Sequence, residues 1–337
     1  MKAKIIKGQT TSATRSILAD NIPLDTPYVI QIFPVYGCNF RCNYCIHSLN
    51  PSERGYIADK KFMDFDLYKK CIDDILEFPQ KIKMLRFAAT GEPLLHPQIA
   101  EMIEYAAQKK AANSIEIVTN GSLLTPELSN KLINSGLNWL RISIQGVSAK
   151  KYKEISDVSI DFEEFVKNIR YFYDNKKDTQ IYIKIIDCAL SEGEEEKFYQ
   201  IFGDICDKIS VEYLLPAVSQ INYAEISNHE FEFTQNGVKA NKDIEVCPQV
   251  FYMMQVNPEG NIVPCCSMET AYIEGNNLQN SLVDIWNGKK RKNFLLMQLN
   301  KVKHKNKICK ECQIYKYGAF REDILDDRAE QLKTKLL

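Results

Sequence analysis

The sequence has no hydrophobic run approaching the eighteen or so residues that a membrane-spanning helix needs, and no excess of either charge. The first absence excludes a helical anchor. The opening Met1-Lys2-Ala3-Lys4 is also not followed by the apolar block of a secretory signal. The second, 43 Lys and Arg against 44 Asp and Glu, leaves no electrostatic reason for nucleic acid to be the main partner. A small-molecule or protein substrate fits better. Histidine is scarce, 4 in 337 residues, whereas cysteine is plentiful at 11. A chain without an export signal is expected in the cytoplasm, where thiols stay reduced, so clustered cysteines point to metal rather than disulfides. At 45% hydrophobic content it can bury a substantial core, with room for one large or two ordinary domains.

The tightest cluster is Cys38-Asn39-Phe40-Arg41-Cys42-Asn43-Tyr44-Cys45, directly after an apolar run. A 4Fe-4S cube has four irons and normally takes four cysteines, so a triad leaves one iron open to bind and activate something else. The alternative is zinc, for which only His47 offers itself as a nearby fourth ligand. From Tyr28 onward apolar runs alternate with amphipathic helical stretches, the pattern of a parallel sheet wrapped by helices. Strands are expected at residues 29–35, 83–88, 114–119, 140–144, 181–186 and 209–214. A helix near 97–110 puts Ile99, Met102, Ile103 and Ala106 on one face, and Thr125 before Pro126 reads as an N-cap. Arg86, Glu116, Arg141 and Glu212 interrupt apolar strands, and alternation groups Arg141, Ser143 and Gln145, then Tyr182, Lys184, Ile186 and Cys188. With helices outside, these should point into a lumen, either meeting substrate or plugging the barrel as ion pairs.

Three loops follow successive strands: Ala89-Thr90-Gly91-Glu92-Pro93, Thr119-Asn120-Gly121 and Ser143-Ile144-Gln145-Gly146. Further on, Cys247, Cys265, Cys309 and Cys312 form a second thiol set, and residues 256–263 read as a hairpin that would bring Cys247 and Cys265 together. Four thiolates suit a complete all-cysteine cluster, with structural zinc as the alternative. Cys71 and Cys206 are expected on apolar helix faces, near Ile75 and Phe202, as core residues.

The triad, with Tyr44 before its last cysteine, resembles the signature of the radical S-adenosylmethionine (SAM) superfamily. The C-terminal set, with the helix start at 282–287, resembles the auxiliary-cluster domain of the SPASM/Twitch subgroup. The resemblance implies an α/β fold: a partial (β/α)6 TIM-like barrel followed by a small C-terminal Twitch-type domain. The expected division is an extension at 1–27, the barrel at 28–218, a linker at 219–246, the iron-sulfur domain at 247–325 and a tail at 326–337. It implies a SAM-binding 4Fe-4S cluster on Cys38, Cys42 and Cys45, and an auxiliary 4Fe-4S cluster on Cys247, Cys265, Cys309 and Cys312, with Cys266 able to replace Cys265. SAM contacts are implied for Tyr44, Gly91, Glu92, Pro93, Asn120, Ser143 and Lys184. Two departures are Thr90, where glycine is common, and Gln145, where many relatives carry Asp. A full SPASM domain has further cysteines and a second auxiliary cluster; no cysteine follows Cys312, so the one-cluster form is expected.

The implied chemistry is hydrogen abstraction by a SAM-derived radical from a small polar substrate such as a sugar, aminocyclitol or nucleotide derivative. Oxidation would use the auxiliary cluster as electron acceptor, whereas epimerisation would need a thiol hydrogen donor, for which Cys188 and Cys266 are the candidates. The rivals are peptide maturation, glycyl-radical activation and a non-enzymatic scaffold. Peptide-maturing relatives often carry a leader-binding domain of roughly eighty residues and the fuller cysteine set, and neither is expected here. An electron donor such as flavodoxin or ferredoxin is implied. The basic residues 289–292 and the lysines around His304 are either its docking surface or a solvated face.

Overall fold

The computed structural model describes residues 1–8, 15–57, 59–227, 230–267 and 269–336. Parts of the expected extension (9–14) and linker (228–229) lie outside the described residues. Strands are β1 Lys4–Ile5, β2 Val29–Ile32, β3 Val35–Tyr36, β4 Lys61–Phe62, β5 Met84–Phe87, β6 Ile115–Thr119, β7 Trp139–Ile144, β8 Gln180–Ile186, β9 Lys208–Glu212, β10 Met253–Val256, β11 Asn261–Val263 and β12 Gly275–Asn276. Ten form one sheet in the order β1-β9-β8-β7-β6-β5-β2-β10-β11-β12, while β3 and β4 pair separately.

Strands β2, β5, β6, β7, β8 and β9 lie side by side in chain order and all parallel, which is the expected partial (β/α)6 barrel. One face is a continuous apolar layer, with Ile30, Leu85, Ile117, Ile142, Ile183 and Ile209 all fully buried. Each such side chain contributes about 1.5–3 kcal/mol relative to exposure. The helices complete that layer. Helix Phe65–Ile75 buries Leu67, Tyr68, Cys71, Ile72 and Ile75, and helix Ile99–Gln108 buries Ile99, Met102, Ile103 and Ala106 at the predicted spacing. Thr125 caps helix Pro126–Asn134, its hydroxyl accepting from Leu128 N.

Two expectations need correction, the unbroken strand at 29–35 and Cys206 on a helix, and two segments outside the expected barrel join its sheet. The extension does more than lead into the barrel, because β1 pairs parallel with β9 (Lys4 opposite Lys208) and lengthens the sheet. The strand expected at 29–35 is interrupted at Phe33-Pro34, where proline has no N–H for a ladder. Beyond it, β3 turns away to pair antiparallel with β4. Cys206 is buried, but in the turn after helix Glu194–Phe202 rather than on it, its thiol donating to Phe202 O at 3.2 Å. The C-terminal region joins the same sheet: β10 adds parallel to β2, from Met253 opposite Val29 to Val256 opposite Ile32. The predicted hairpin is present as β10 and β11, turning through Gly260 at φ +84°, where glycine avoids the left-handed penalty. Two buried polar ties hold this join. Gln31 Nε2 donates to Gln255 Oε1 at 2.7 Å, and Asp74 accepts from Asn277 Nδ2 (2.6 Å) and Leu282 N (3.0 Å).

Candidate active site

The cysteine triad lies on the loop that leaves β3, and neighbouring elements fix its path. Arg41 N and Asn43 N donate to Ser156 O (2.9 Å) and Ile155 O (2.8 Å), at the end of helix Ala149–Ser156. Phe40 is buried edge-on against Tyr152, and Cys45 N donates to Cys42 O at 2.9 Å. The three thiols lie within electrostatic reach of one another. Burial pushes Cys38 up to about 12 and raises Cys42 and Cys45 as well, neighbouring charge adding to it at Cys38 and Cys42 while Arg54 opposes it at Cys45, so iron binding here would displace protons.

The Gly-Glu-Pro turn presses against this loop. A Cβ on Gly91 would stand 2.3 Å from Val35 O and 3.0 Å from Gly37 O, so only glycine allows the approach. Glu92 N donates to Gly37 O at 2.9 Å. The Glu92 carboxylate is fully enclosed and accepts from Leu94 N (2.9 Å), Thr119 Oγ1 (2.6 Å) and Asn120 N (2.7 Å). It thus ties the β5 loop to the β6 loop. Burial raises its pKa to about 7 against these three donors. Pro93 opens the turn Pro93–Leu95. Just before, Ala89 takes a φ of +110°, a strained conformation for a residue with a side chain. Asn120 Nδ2 donates to Asn39 Oδ1 (2.9 Å) and lies 3.9 Å from Cys38 Sγ, so Gly91, Glu92 and Asn120 all converge on the triad loop. Tyr44 donates its hydroxyl to Gln145 Oε1, while its carbonyl accepts from Tyr223 Oη at 2.9 Å. His47 is buried with its ring against Thr90 O.

The other sheet face is polar. Gln31, Arg86 and Glu116 sit in one register row. Arg141 Nε (2.8 Å) and Arg86 Nη2 (3.2 Å) both donate to Glu116 Oε2. Burial opposes ionisation of Glu116, but the two guanidiniums win and hold it below its ordinary value. Ser143 lies opposite Lys184, and Lys184 opposite Ser210. The Lys184 ammonium bonds Glu212 Oε2 at 2.6 Å, and the same carboxylate accepts from Tyr182 Oη (2.8 Å) and Gln235 Nε2 (2.6 Å). Lys184 is therefore held in an internal ion pair, while Ser143 is half-buried and makes no such pair. Cys188, in the turn Asp187–Ala189 after β8, packs with Tyr36, Ile46 and Tyr223, and burial pushes its thiol up to about 12.

The second thiol set faces one cavity, lined by Cys247, Cys265, Cys309 and Cys312 together with Gln298, Lys303 and Tyr315. The lining includes Cys265 and, among the described residues, not Cys266, whose sulfur instead accepts from Gln249 Nε2 at 3.1 Å. Burial raises these thiols too, Cys247 to about 12 and Cys309 to about 11. Among the described residues no three His, Cys, Asp or Glu side chains are arranged around a single metal ion. Four sulfurs around a shared space suit a cluster. Lys303, one of the lysines expected on a docking or solvated face, instead lines this cavity half-buried, and Tyr223, Gln235 and Gln298 escaped sequence reasoning. Each sits in a polar or mixed stretch with no motif, and only the tertiary fold brings it to these sites.

The radical SAM superfamily model matches residues 32–191, and the iron-sulfur cluster-binding SPASM model matches residues 247–313. The chain belongs to the radical SAM superfamily. Its two matched domains imply SAM with a 4Fe-4S cluster and auxiliary iron-sulfur binding. Among curated relatives it is 32% identical over 134 residues to the tungsten-containing aldehyde ferredoxin oxidoreductase cofactor-modifying protein of Pyrococcus furiosus, covering 35% of each chain. It is 28% identical over 145 residues to the GTP 3',8-cyclase of Chlorobaculum tepidum, spanning 41% of that protein. The match to the GTP 3',8-cyclase of Campylobacter jejuni subsp. jejuni is longer, 23% identical over 272 residues, 72% of this chain and 81% of that one. The family fold is shared with BtrN, solved in complex with AdoMet and 2-DOIA (TM-score 0.51, 18% identity, 85% of this chain and 92% of that one). It is also shared with Streptococcus suis SuiB bound to S-adenosylmethionine (TM-score 0.63, 16% identity, 89% and 74%). Among the described residues no helix is long and apolar enough to cross a membrane.

Proposed function

We propose that this chain uses radical SAM chemistry to oxidise or epimerise a hydroxyl-bearing carbon in a small polar substrate, such as a sugar, aminocyclitol or nucleotide derivative. The observation that carries the reading is the cavity faced by Cys247, Cys265, Cys309 and Cys312. A cluster with four protein thiolates has no open iron for substrate, so its duty would be to exchange electrons. In this reading Cys38, Cys42 and Cys45 hold the SAM-binding cluster, and Tyr44, Gly91, Glu92, Pro93, Asn120, Ser143 and Lys184 shape the SAM pocket. Together, bound cluster and SAM supply a hydrogen-abstracting radical, the hard step that a cofactor carries.

The chain's own residues position and enclose. Glu92 locks two loops against the triad, and Tyr223 covers the triad loop through Tyr44 O. Lys184, Tyr182, Glu212 and Gln235 form a polar wall on the lumen side. Cys188 and Cys266 are the alternative hydrogen donors of an epimerase. An acidic electron-donor protein such as flavodoxin or ferredoxin, met in the cytoplasm, completes the proposal. Support for a small substrate comes from the long matches to BtrN and to the Campylobacter GTP 3',8-cyclase. A peptide substrate is the second reading, favoured by the higher TM-score, 0.62, to SuiB bound to precursor peptide SuiA.

Deuterium-labelled polyols, nucleotides and peptides, each offered with SAM to the reduced protein, test both. Deuterium appearing in 5'-deoxyadenosine from a polyol or nucleotide supports the first reading; transfer from peptides alone would replace it with the second. Full turnover by both C188A and C266A would remove the thiol donor and leave oxidation.

A further inference from the structure

The polar side chains that line the cavity between Cys247, Cys265, Cys309 and Cys312 besides the thiols are Gln249, Ser267, Gln298, Lys303 and Tyr315, and of these Lys303 and Gln298 bear on the sulfurs. Apart from the thiols, Lys303 is the only charged side chain lining it among the described residues. Its ammonium stands 3.7 Å from the centroid of the Tyr315 ring and donates to the Tyr315 hydroxyl. It interacts electrostatically with Cys247, Cys309 and Cys312. A half-buried ammonium would ordinarily face a carboxylate; this one is held by a phenol and faces sulfur. Asp326 and Lys316 also reach Lys303, with opposite signs, and Glu269 reaches Cys312.

Gln298, on helix Lys289–Leu299, is fully buried. Its Nε2 lies 3.7 Å from Cys309 Sγ, and its Oε1 has no hydrogen-bond partner among the described residues. A buried, unpaired amide oxygen costs about 1–3 kcal/mol. Burial of glutamine here is explained if its N–H is needed at the sulfur.

We infer that Lys303 and Gln298 raise the reduction potential of the cluster held by Cys247, Cys265, Cys309 and Cys312, poising it to accept electrons. The inference rests on the electron-transfer reading above and deepens it. Reduction adds a negative charge to an already anionic cluster. A fixed cation and an N–H donor at the ligand sulfurs stabilise that added charge more than they stabilise the oxidised state. Both groups therefore act as positioning residues for charge rather than as ligands or catalysts.

The test is a potentiometric titration followed by electron paramagnetic resonance on the full chain carrying C38A, C42A and C45A, so that only the second cluster remains. K303M is expected to make reduction about tenfold less favourable, equivalent to about 59 mV downward for one electron. K303R should stay near the parent, and Q298L should shift the same way as K303M by less. Unshifted potentials in K303M and Q298L, at iron content equal to the parent, would overturn the inference. If K303M loses its cluster, Q298L decides: a downward shift supports the inference and an unchanged value overturns it. A parent that binds zinc in place of iron overturns the cluster assignment and the inference with it, an outcome that metal analysis separates from an unshifted potential.

Discussion

Gly91→Ala adds a single methyl group where the Gly-Glu-Pro turn meets the cysteine loop. The added carbon would lie 2.3 Å from Val35 O, 2.9 Å from the Phe33 ring and 3.0 Å from Gly37 O. Two of these atoms are backbone, on the segment that leads directly into Cys38, so neither can swing aside as a side-chain end would. The turn and the loop must separate by several tenths of an ångström, which strains the Glu92 N to Gly37 O bond of 2.9 Å. Overpacking of this kind costs about 1–3 kcal/mol, a fall in Tm of about 2–10 °C for a chain of this size. The damage falls on one metal site, because the second thiol cavity touches none of these residues. Thermal melts followed by circular dichroism, with iron content after anaerobic reconstitution, check both parts. Iron should fall from about eight towards about four per chain, with the auxiliary signal retained. An unchanged melt together with unchanged iron would refute the steric argument.

The cluster-free chain should show a pH-dependent stability term from Glu92. Its pKa is raised from 4.5 in the unfolded chain to about 7 in the fold, so the folded state holds the extra proton between those values. Stability from this group is present at acidic pH and is lost as pH rises to about 7, by about 3 kcal/mol in all. Urea unfolding of wild type and E92Q from pH 5 to 8 should show this slope only in wild type; parallel curves would contradict it. Lys184→Met strands the fully buried Glu212 carboxylate with only Tyr182 and Gln235 as donors, and should cost about 3–5 kcal/mol in urea unfolding. A loss under about 1 kcal/mol would show the pair to be dispensable. Cys265→Ala should abolish auxiliary iron while Cys266→Ala leaves it intact; the reverse result would exchange their roles.

Much of the fold was legible because its signals are local. Six apolar runs with helical stretches between them correspond to six parallel strands in chain order; the first ends early at Phe33-Pro34 and the last stops at Glu212, two residues short of its expected end. The thiol sets and Gly91 were legible as motifs, since spacing and residue type are themselves the signal. The pairing of β10 with β2 was not. Its partners Met253 and Val29 are far apart in the chain, and nothing in Met253–Val256 distinguishes a hairpin arm from a strand that also extends a barrel. Lys4–Ile5 is too short to carry a period. Lys184 and Glu92 show the limit for side chains. Sequence placed both near SAM, while the internal donors and acceptors that engage them come from β9, the β6 loop and a polar linker.

The most direct test of the central claim is 5'-deoxyadenosine formation by anaerobically reconstituted, chemically reduced protein supplied with SAM, beside a variant with Cys38, Cys42 and Cys45 all replaced by alanine. The account predicts product from the intact chain and none from the variant. Equal yields from both, or no product from intact protein of confirmed iron content, would contradict it.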